Sequence, residues 1–248
     1  MRYVGGKTRI ARWVATQIAA VQGGRSHYLE PFVGSGAVFE RVAPMFATAS
    51  AGDAHPDLML MWQALADGWE PPEYVSREEY AALKHAEPSA LRGFVGFGSS
   101  FSGKWFGGYV DTVYDKHHGR MTKPYLQAAR ASVLKTAATM RDADLRAGDY
   151  RQWTPGPETV VYCDPPYAGT LGYGGAGKFD TDEFLDCASA WVDNGALVLI
   201  SEGREFPGWG VLAERQRKSM LRVADGAPNT VRREVLLARK AVVPASAA

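Results

Sequence analysis

The sequence predicts an α/β protein built on a mostly parallel sheet with helices on both faces. Short apolar runs that end in an acid or a turn alternate with stretches of helical periodicity, the pattern of strand–helix–strand crossovers. The length of 248 residues suffices for one large domain, or for one domain carrying an insertion. Hydrophobic residues make up 46% and charged residues 22%, a globular balance that argues against a disordered or fibrous chain.

The elements follow in chain order. Ile10, Trp13, Val14, Ile18 and Val21 fall at helical spacing, so a first helix lies between Thr8 and Val21. "HYLEPFVGSGAVFERV" predicts a short strand ending at Glu30, a glycine-containing loop, and a helix from about Ala37. "ATASAGD" predicts a second strand ending at Asp53; Pro56 suits the first turn of the next helix and Gly68 its stop. The stretch from Gly68 to Tyr125 is rich in glycine and aromatics, with one short helical segment near Arg77 to His85. A long stretch of this kind between regular units has the character of a functional insertion. A helix resumes from Lys123 to Arg141. "ETVVYCD", a helix from about Thr181 to Val192 and "ALVLIS" then give strand, helix, strand. A last apolar run, "REVLLARK", follows a turn in "ADGAPN", and "VVPASAA" is expected to be a frayed tail.

The net charge of +1 conceals a local excess. Residues 92 to 141 hold eight Lys/Arg against two acids, leaving the remainder of the chain acidic. A basic segment on an otherwise mildly acidic protein has the form of a nucleic-acid footprint, and Lys104, Lys116, Arg120 and Lys123 are its expected contacts. The two cysteines, Cys163 and Cys187, form no CxxC and no zinc-spaced cluster, so neither a structural metal nor a disulfide framework is expected. No apolar run approaches the roughly 20 residues of a membrane span, and "MRYVGGKTRIARW" lacks a signal-peptide core. A cytoplasmic protein is expected, with no membrane partner and no obligate protein partner.

Ligands of parallel α/β sheets sit beyond the carboxyl ends of the strands. Glu30, Asp53 and Asp164 each fall at a predicted strand end, so the three acids should converge on one edge. "EPFVGSG" places Gly34 and Gly36 in a strand-to-helix turn, where a backbone can approach a ligand closely. Asp53 follows Gly34 by 19 residues, near the spacing at which an acid grips ribose hydroxyls in nucleotide-binding folds. The loop is not GxGxxG, which disfavours a dinucleotide. "GGKT" at residues 5–8 is not a Walker loop, because that motif needs a glycine where Met1 stands and a strand before it. Lys7 is left with two readings, a partner for a ligand carboxylate or a solvated lysine at a helix start. "CDPPYAG" at 163–169 ends a strand with an acid and stiffens the next two residues, since proline cannot continue a sheet interior. Trp105 and Trp153 are expected in the core.

Taken together, "YVGGK" (3–7), "EPFVGSGAVF" (30–39), "GDAHPDLMLMW" (52–62), "GSSFSGKWFGGY" (98–109), "AGDYRQW" (147–153) and "CDPPY" (163–167) resemble the Dam-type family of S-adenosylmethionine-dependent DNA adenine-N6 methyltransferases. The resemblance implies a Rossmann-like methyltransferase sheet covered by helices. Residues 1–68 and 142–240 would form the cofactor-binding and catalytic domain, 69–141 an inserted target-recognition region, and 241–248 a flexible tail. It implies S-adenosylmethionine as cofactor, double-stranded DNA as partner, no metal, and a role of the restriction–modification kind.

Tyr3, Gly6 and Lys7 would border the cofactor, with Lys7 near its methionine carboxylate. Glu30, Pro31, Phe32, Gly34, Ser35 and Gly36 would form its loop, Asp53 its ribose contact, Asp149 and Tyr150 its adenine side, and Asp164 would lie beside the methionine moiety. Asp164, Pro165, Pro166 and Tyr167 would be catalytic. Asp164 and the Pro165 carbonyl would accept N–H bonds from the target amino group, and Tyr167 would stack on a base taken out of the duplex. Tyr3 stands where the family usually has tryptophan.

The same DPPY motif also occurs in RNA and protein-glutamine methyltransferases, and a catalytically silent DNA-binding regulator would keep the same fold. The chain has no Pro-Cys pair for cytosine carbon-5 methylation and no H-x-E with PCxxC for a zinc deaminase.

Overall fold

The computed structural model describes residues 1–112, 114–115, 119–121, 124–166, 179–218 and 231–239. The predicted turn in "ADGAPN" and the tail 241–248 lie outside them.

The described helices are α1 (Ala11–Val21), α2 (Phe39–Val42), α3 (Pro56–Ala66), α4 (Arg77–Leu83), α5 (Ala90–Gly98), α6 (Tyr125–Met140) and α7 (Thr181–Asp193). The described strands are β1 (His27–Glu30), β2 (Thr48–Asp53), β3 (Tyr114–Asp115), β4 (Arg120–Met121), β5 (Asp144–Ala147), β6 (Thr159–Cys163), β7 (Leu197–Glu202), β8 (Trp209–Lys218) and β9 (Val231–Arg239). β3 and β4 pair as a small separate ribbon.

The main sheet has the order β5-β2-β1-β6-β7-β9-β8. β1 pairs in parallel with β2 and with β6, β2 with β5, and β6 with β7; β9 is antiparallel to both its neighbours. The chain therefore starts in the middle, winds outward through β2 and β5, and returns across β1 to wind the other way. That reversal opens a crevice beyond the ends of β1 and β6, and it makes the sheet Rossmann-like. All five residues of β6 are buried, as a strand covered on both faces requires. Alternate residues go to opposite layers. Tyr28, Val160 and Tyr162 join α1, α2, α3, α5 and α6 in one core, while Leu29, Val161 and Cys163 pack with Tyr150, Phe184 and Trp191 in the other.

α1 runs from Ala11, with Ala11, Val14, Ala15 and Ile18 buried. His55 caps α3, its side chain accepting the Leu58 N–H, and Pro56 begins the helix. α4 carries a capping box between Ser76 and Glu79. The helix expected from Ala37 starts at Phe39 and is one turn long before a 3-10 turn at Ala43–Met45, because Pro44 cannot extend its hydrogen bonding.

Besides the β3–β4 ribbon, three elements were not expected. β5 is a short edge strand with little apolar patterning, and β8 is largely polar beyond Ala213. α5, "ALRGFVGFG", has glycine at three of nine positions, which lowers its intrinsic propensity. Packing overrides that penalty. A Cβ on Gly93 would lie 2.1 Å from the Asp57 carbonyl oxygen, one on Gly96 2.4 Å from Trp105, and one on Gly98 3.1 Å from Ala129. The glycines let α5 lie directly on α3, and Arg92 completes the contact with a 2.7 Å ion pair to buried Asp57.

Gly93→Ala is accordingly expected to destabilise the fold by about 1–3 kcal/mol through overpacking. Gly156→Ala, where nothing lies within 4 Å of the added Cβ, should stay within about 0.5 kcal/mol of wild type. Urea denaturation of the two variants compares them directly.

Candidate active site

Parallel β1, β2 and β6 end on the same side of the sheet, so Glu30, Asp53 and Asp164 emerge together, as the strand ends predict. Glu30 is buried at the end of β1 and its Oε2 accepts the Tyr28 hydroxyl at 2.8 Å. Burial pushes its carboxyl well above the usual range; the nearby charges of Asp164 and Asp53 add to the rise and the Tyr28 bond opposes it. Asp53 accepts the Gly34 N–H at 3.0 Å and the His55 N–H at 2.9 Å. These two bonds hold the loop after β1 against the start of α3. Burial raises its carboxyl as well, partly offset by the two amides.

Pro31 to Gly36 form the loop itself. Gly34 and Gly36 have φ of +46° and +67°, in the left-handed region that favours glycine. A Cβ on Gly34 would sit 3.1 Å from the Tyr3 ring, and one on Gly36 2.7 Å from Thr136. The Trp62 indole N–H donates to the Gly34 carbonyl at 3.0 Å, and Ser35 is buried. The segment before α1 lies over this loop. Tyr3 packs on Phe97 with ring centroids 4.9 Å apart, and Gly6 donates its N–H to the Tyr3 carbonyl. A Cβ on Gly6 would lie 3.0 Å from that oxygen.

Lys7 is not a solvated lysine. It is 5% exposed, and its ammonium lies 3.0 Å from Asp164 Oδ1 and 2.9 Å from Glu234 Oε1. Two carboxylates of the protein thus meet the ammonium that the resemblance sets near a ligand carboxylate. Asp164 keeps 20% of its side chain exposed in the crevice. Burial pushes its carboxyl up to about 6, Lys7 pulls it down, and Glu234 adds a smaller upward push. Pro165 and Pro166 follow directly, with Pro165 buried. Tyr167 lies outside the described residues.

An aromatic wall stands on the other side of the loop. Phe32 contacts Tyr150, Phe179 and Phe184 at centroid distances of 5.4, 5.9 and 5.5 Å. Asp149 caps the turn at Tyr150–Gln152 and is bound by Arg151 through two further contacts of 2.7 and 3.0 Å. Arg151 pulls its carboxyl down, partly opposed by burial. Trp153 is buried as expected. Trp105 is half-buried and packs on His55, Phe97 and Phe106, which joins the 98–109 segment to the residues after Asp53.

That segment presents Phe101, 60% exposed, and exposed Lys104. Its base is fixed by Tyr80, whose hydroxyl lies 2.7 Å from Ser100 Oγ and accepts the Gly108 N–H at 3.2 Å. Of the other expected basic contacts, Lys116 and Lys123 lie outside the described residues. Arg120 is placed by its backbone, paired with Asp115.

Sequence reasoning did not single out Glu234, Phe179, Phe184 or Phe101. Glu234 had one signal, as the lone acid in an otherwise basic and apolar final strand. Among the described residues no group of His, Cys, Asp or Glu could hold a metal ion, and no helix is long and apolar enough to cross a membrane.

Residues 3–95, which include Lys7, the glycine loop and the acids of β1 and β2, match the sequence profile of the D12 class N6 adenine-specific DNA methyltransferases. This stretch carries a D12-class methyltransferase signature. Over residues 3–95 the match bears out the resemblance read from the motifs. It ends before Asp164 and before the 98–109 segment. No curated protein matches the chain at a significant level. Solved structures with a similar course of the chain include a proposed methyltransferase of Escherichia coli, yhhF, at 14% identity and a TM-score of 0.40, covering 93% of this chain and 84% of that one. A proposed RNA methyltransferase of Pyrococcus horikoshii aligns at 10% identity and a TM-score of 0.41, covering 94% and 82% of the two chains. A precorrin 8W decarboxylase of Methanobacterium thermoautotrophicum aligns at 10% identity and a TM-score of 0.38, covering 92% and 89%.

The protonation of Glu30 gives a test of the site's electrostatics. A carboxyl raised in the folded state binds its proton more tightly there than in the unfolded chain. Wild-type stability therefore gains as pH falls from above the folded pKa toward the unfolded value near 4.5. Glu30→Gln carries the neutral form at every pH and lacks this gain. Melting temperatures across pH 5 to 8 should show the variant at its best relative to wild type at the alkaline end.

Proposed function

We propose that the protein methylates the N6 amino group of adenine in double-stranded DNA, with S-adenosylmethionine as methyl donor. One observation carries this reading. Asp164 stands at the end of β6, at the reversal point of the sheet, beside Glu30, held by Lys7, and followed by two prolines.

The residues present suit S-adenosylmethionine. The Gly34–Gly36 loop brings backbone close to the crevice, Asp53 offers acceptors for ribose hydroxyls, and Phe32 and Tyr150 offer ring faces for an adenine. The carboxylates of the crevice complement a cationic ligand. Tyr3, Gly6, Lys7, Glu30 to Gly36, Asp53, Asp149, Tyr150 and Asp164 would hold it. When bound, S-adenosylmethionine supplies a methyl group already activated on a sulfonium centre.

The chain's own part is to prepare the nucleophile. An exocyclic amine is a weak nucleophile because its lone pair is delocalised into the ring. Asp164 and the Pro165 carbonyl accept its two N–H bonds, which favours a pyramidal nitrogen with its lone pair aimed at the methyl donor. Proline at 165 and 166 limits backbone freedom at the acceptors, so alignment is set before the substrate arrives. Tyr167 would stack on the extruded base. Residues 69–141 would recognise the target, with Lys104, Lys116, Arg120 and Lys123 on phosphates and exposed Phe101 at the rim of the site. The basic charge of this segment and the D12 signature favour DNA over RNA or protein.

Mapping of modified bases in a methylation-free host expressing the protein tests the reading. N6-methyladenine at a defined sequence is the expected result; unmodified DNA with methylated RNA or protein would overturn it. Asp164→Ala should lower methyl transfer about a hundredfold or more, the scale of losing one preorganised transition-state partner. The fold should persist, because Lys7 keeps Glu234. Asp53→Ala should weaken S-adenosylmethionine binding by roughly 1–3 kcal/mol in calorimetry. Reversing Lys116, Arg120 and Lys123 should flatten the salt dependence of DNA binding by up to about one log–log unit per contacted phosphate.

A further inference from the structure

The ion cluster in the crevice contains one more acid than the proposed chemistry uses. Glu234 lies on β9, in register with Arg215 of β8, and is 7% exposed. Its carboxylate meets the Lys7 ammonium at 2.9 Å while Asp164 meets it at 3.0 Å. Lys7 is thus shared between two anions that arrive on different strands. An ammonium paired with Asp164 alone would form a neutral pair and draw charge from the oxygens that must accept the substrate N–H bonds. With Glu234 present, the pull of Lys7 is divided between two carboxylates.

We propose that Glu234 is a positioning residue: through Lys7 it fixes the orientation of Asp164 and preserves its strength as acceptor for the amino group being methylated. The identity of that amino group rests on the function proposed above, whereas the coupling of Glu234 to Asp164 rests on the ion geometry alone. Among the described residues, the ionisable groups acting around Asp164 are Lys7 from the segment before α1, Glu234 from β9, Glu30 from β1, and Tyr162 and Cys163 from β6 itself. Glu234 favours the protonated form of Asp164 and Lys7 the ionised form. Neutralising Glu234 therefore removes one upward push, leaves burial alone against Lys7 among these effects, and makes Asp164 a stronger acid and a weaker acceptor.

The full chain is compared as wild type, Glu234→Gln and Glu234→Asp. Carboxyl-carbon NMR, assigned with Asp164→Asn, follows the titration of Asp164 without any substrate. In Glu234→Gln its midpoint should fall by about one pH unit, the lower end of the effect of a neighbouring charge. On adenine-containing duplex DNA the acid limb of kcat/KM should move the same way. Turnover above the limb should drop roughly tenfold, the factor equivalent to one pKa unit. The DNA KM should change by less than about twofold, since Glu234 acts on the amino-group acceptor and not on the phosphate contacts. Glu234→Asp, which keeps the charge, should recover most of both effects.

An Asp164 midpoint and turnover unchanged in Glu234→Gln would overturn the proposal, as would failure of Glu234→Asp to recover them. In the wild type, the Glu234 resonance should also respond at the Asp164 midpoint, a readout that needs no variant to fold. Its indifference would overturn the coupling. A wild type that leaves DNA unmethylated would refute the substrate reading, while the NMR titrations would still decide the role of Glu234.

Discussion

Charge compensation in a partly desolvated crevice is the constraint on which the site depends. Parallel strands deliver their terminal residues to one edge, so a sheet that reverses direction between β1 and β6 gathers Glu30, Asp53 and Asp164 into a small volume. Crowded and sheltered carboxyls hold their protons, and Glu30 does so strongly. Lys7 opposes this tendency at Asp164. For that lysine to reach the sheet, the segment before α1 must lie across the loop after β1. The contacts of Tyr3 with Phe97, and the close approach of Gly34 to the Tyr3 ring, hold it there. Gly103 extends the same constraint to the 98–109 segment, since a Cβ at that position would lie 2.4 Å from the Arg2 backbone.

The sequence made the centre of the sheet legible. β1, β2, β6 and β7 stop at an acid or a turn, and the central β6 is wholly buried. The edges were harder to read. β5 pairs only with β2 and is mostly exposed, so no alternation marks it. β8 is irregular between Val211 and Ala213, which breaks its period. α5 was hidden for the opposite reason: its glycines lower local propensity, and the contacts that reward them come from α3, Trp105 and α6, distant in sequence.

The same division holds at the site. Acids at strand ends, the glycine loop and the Asp-Pro-Pro run are local signals, and the described members gather at the crevice as their spacing suggests. Lys7 left two readings open because burial is not a local property. Glu234 could not be identified as part of the cluster, because only the antiparallel insertion of β9 between β7 and β8 brings it to Lys7. Asp149 shows the converse. Its motif is local, yet much of its carboxylate's bonding is to Arg151, a neighbour in the same turn.

The late strand has a consequence for biosynthesis. Glu234 follows Lys7 at a distance of more than 200 residues along the chain, and β9 occupies an interior place in the sheet. At synthesis rates of about 5–20 residues per second, the lysine exists for roughly ten seconds or more before its second partner has been made. Throughout that interval the ion cluster is incomplete, and near its end β7 has an open edge. The nascent chain therefore carries its glycine loop long before its charge balance, and the ion cluster is completed only once β9 has emerged.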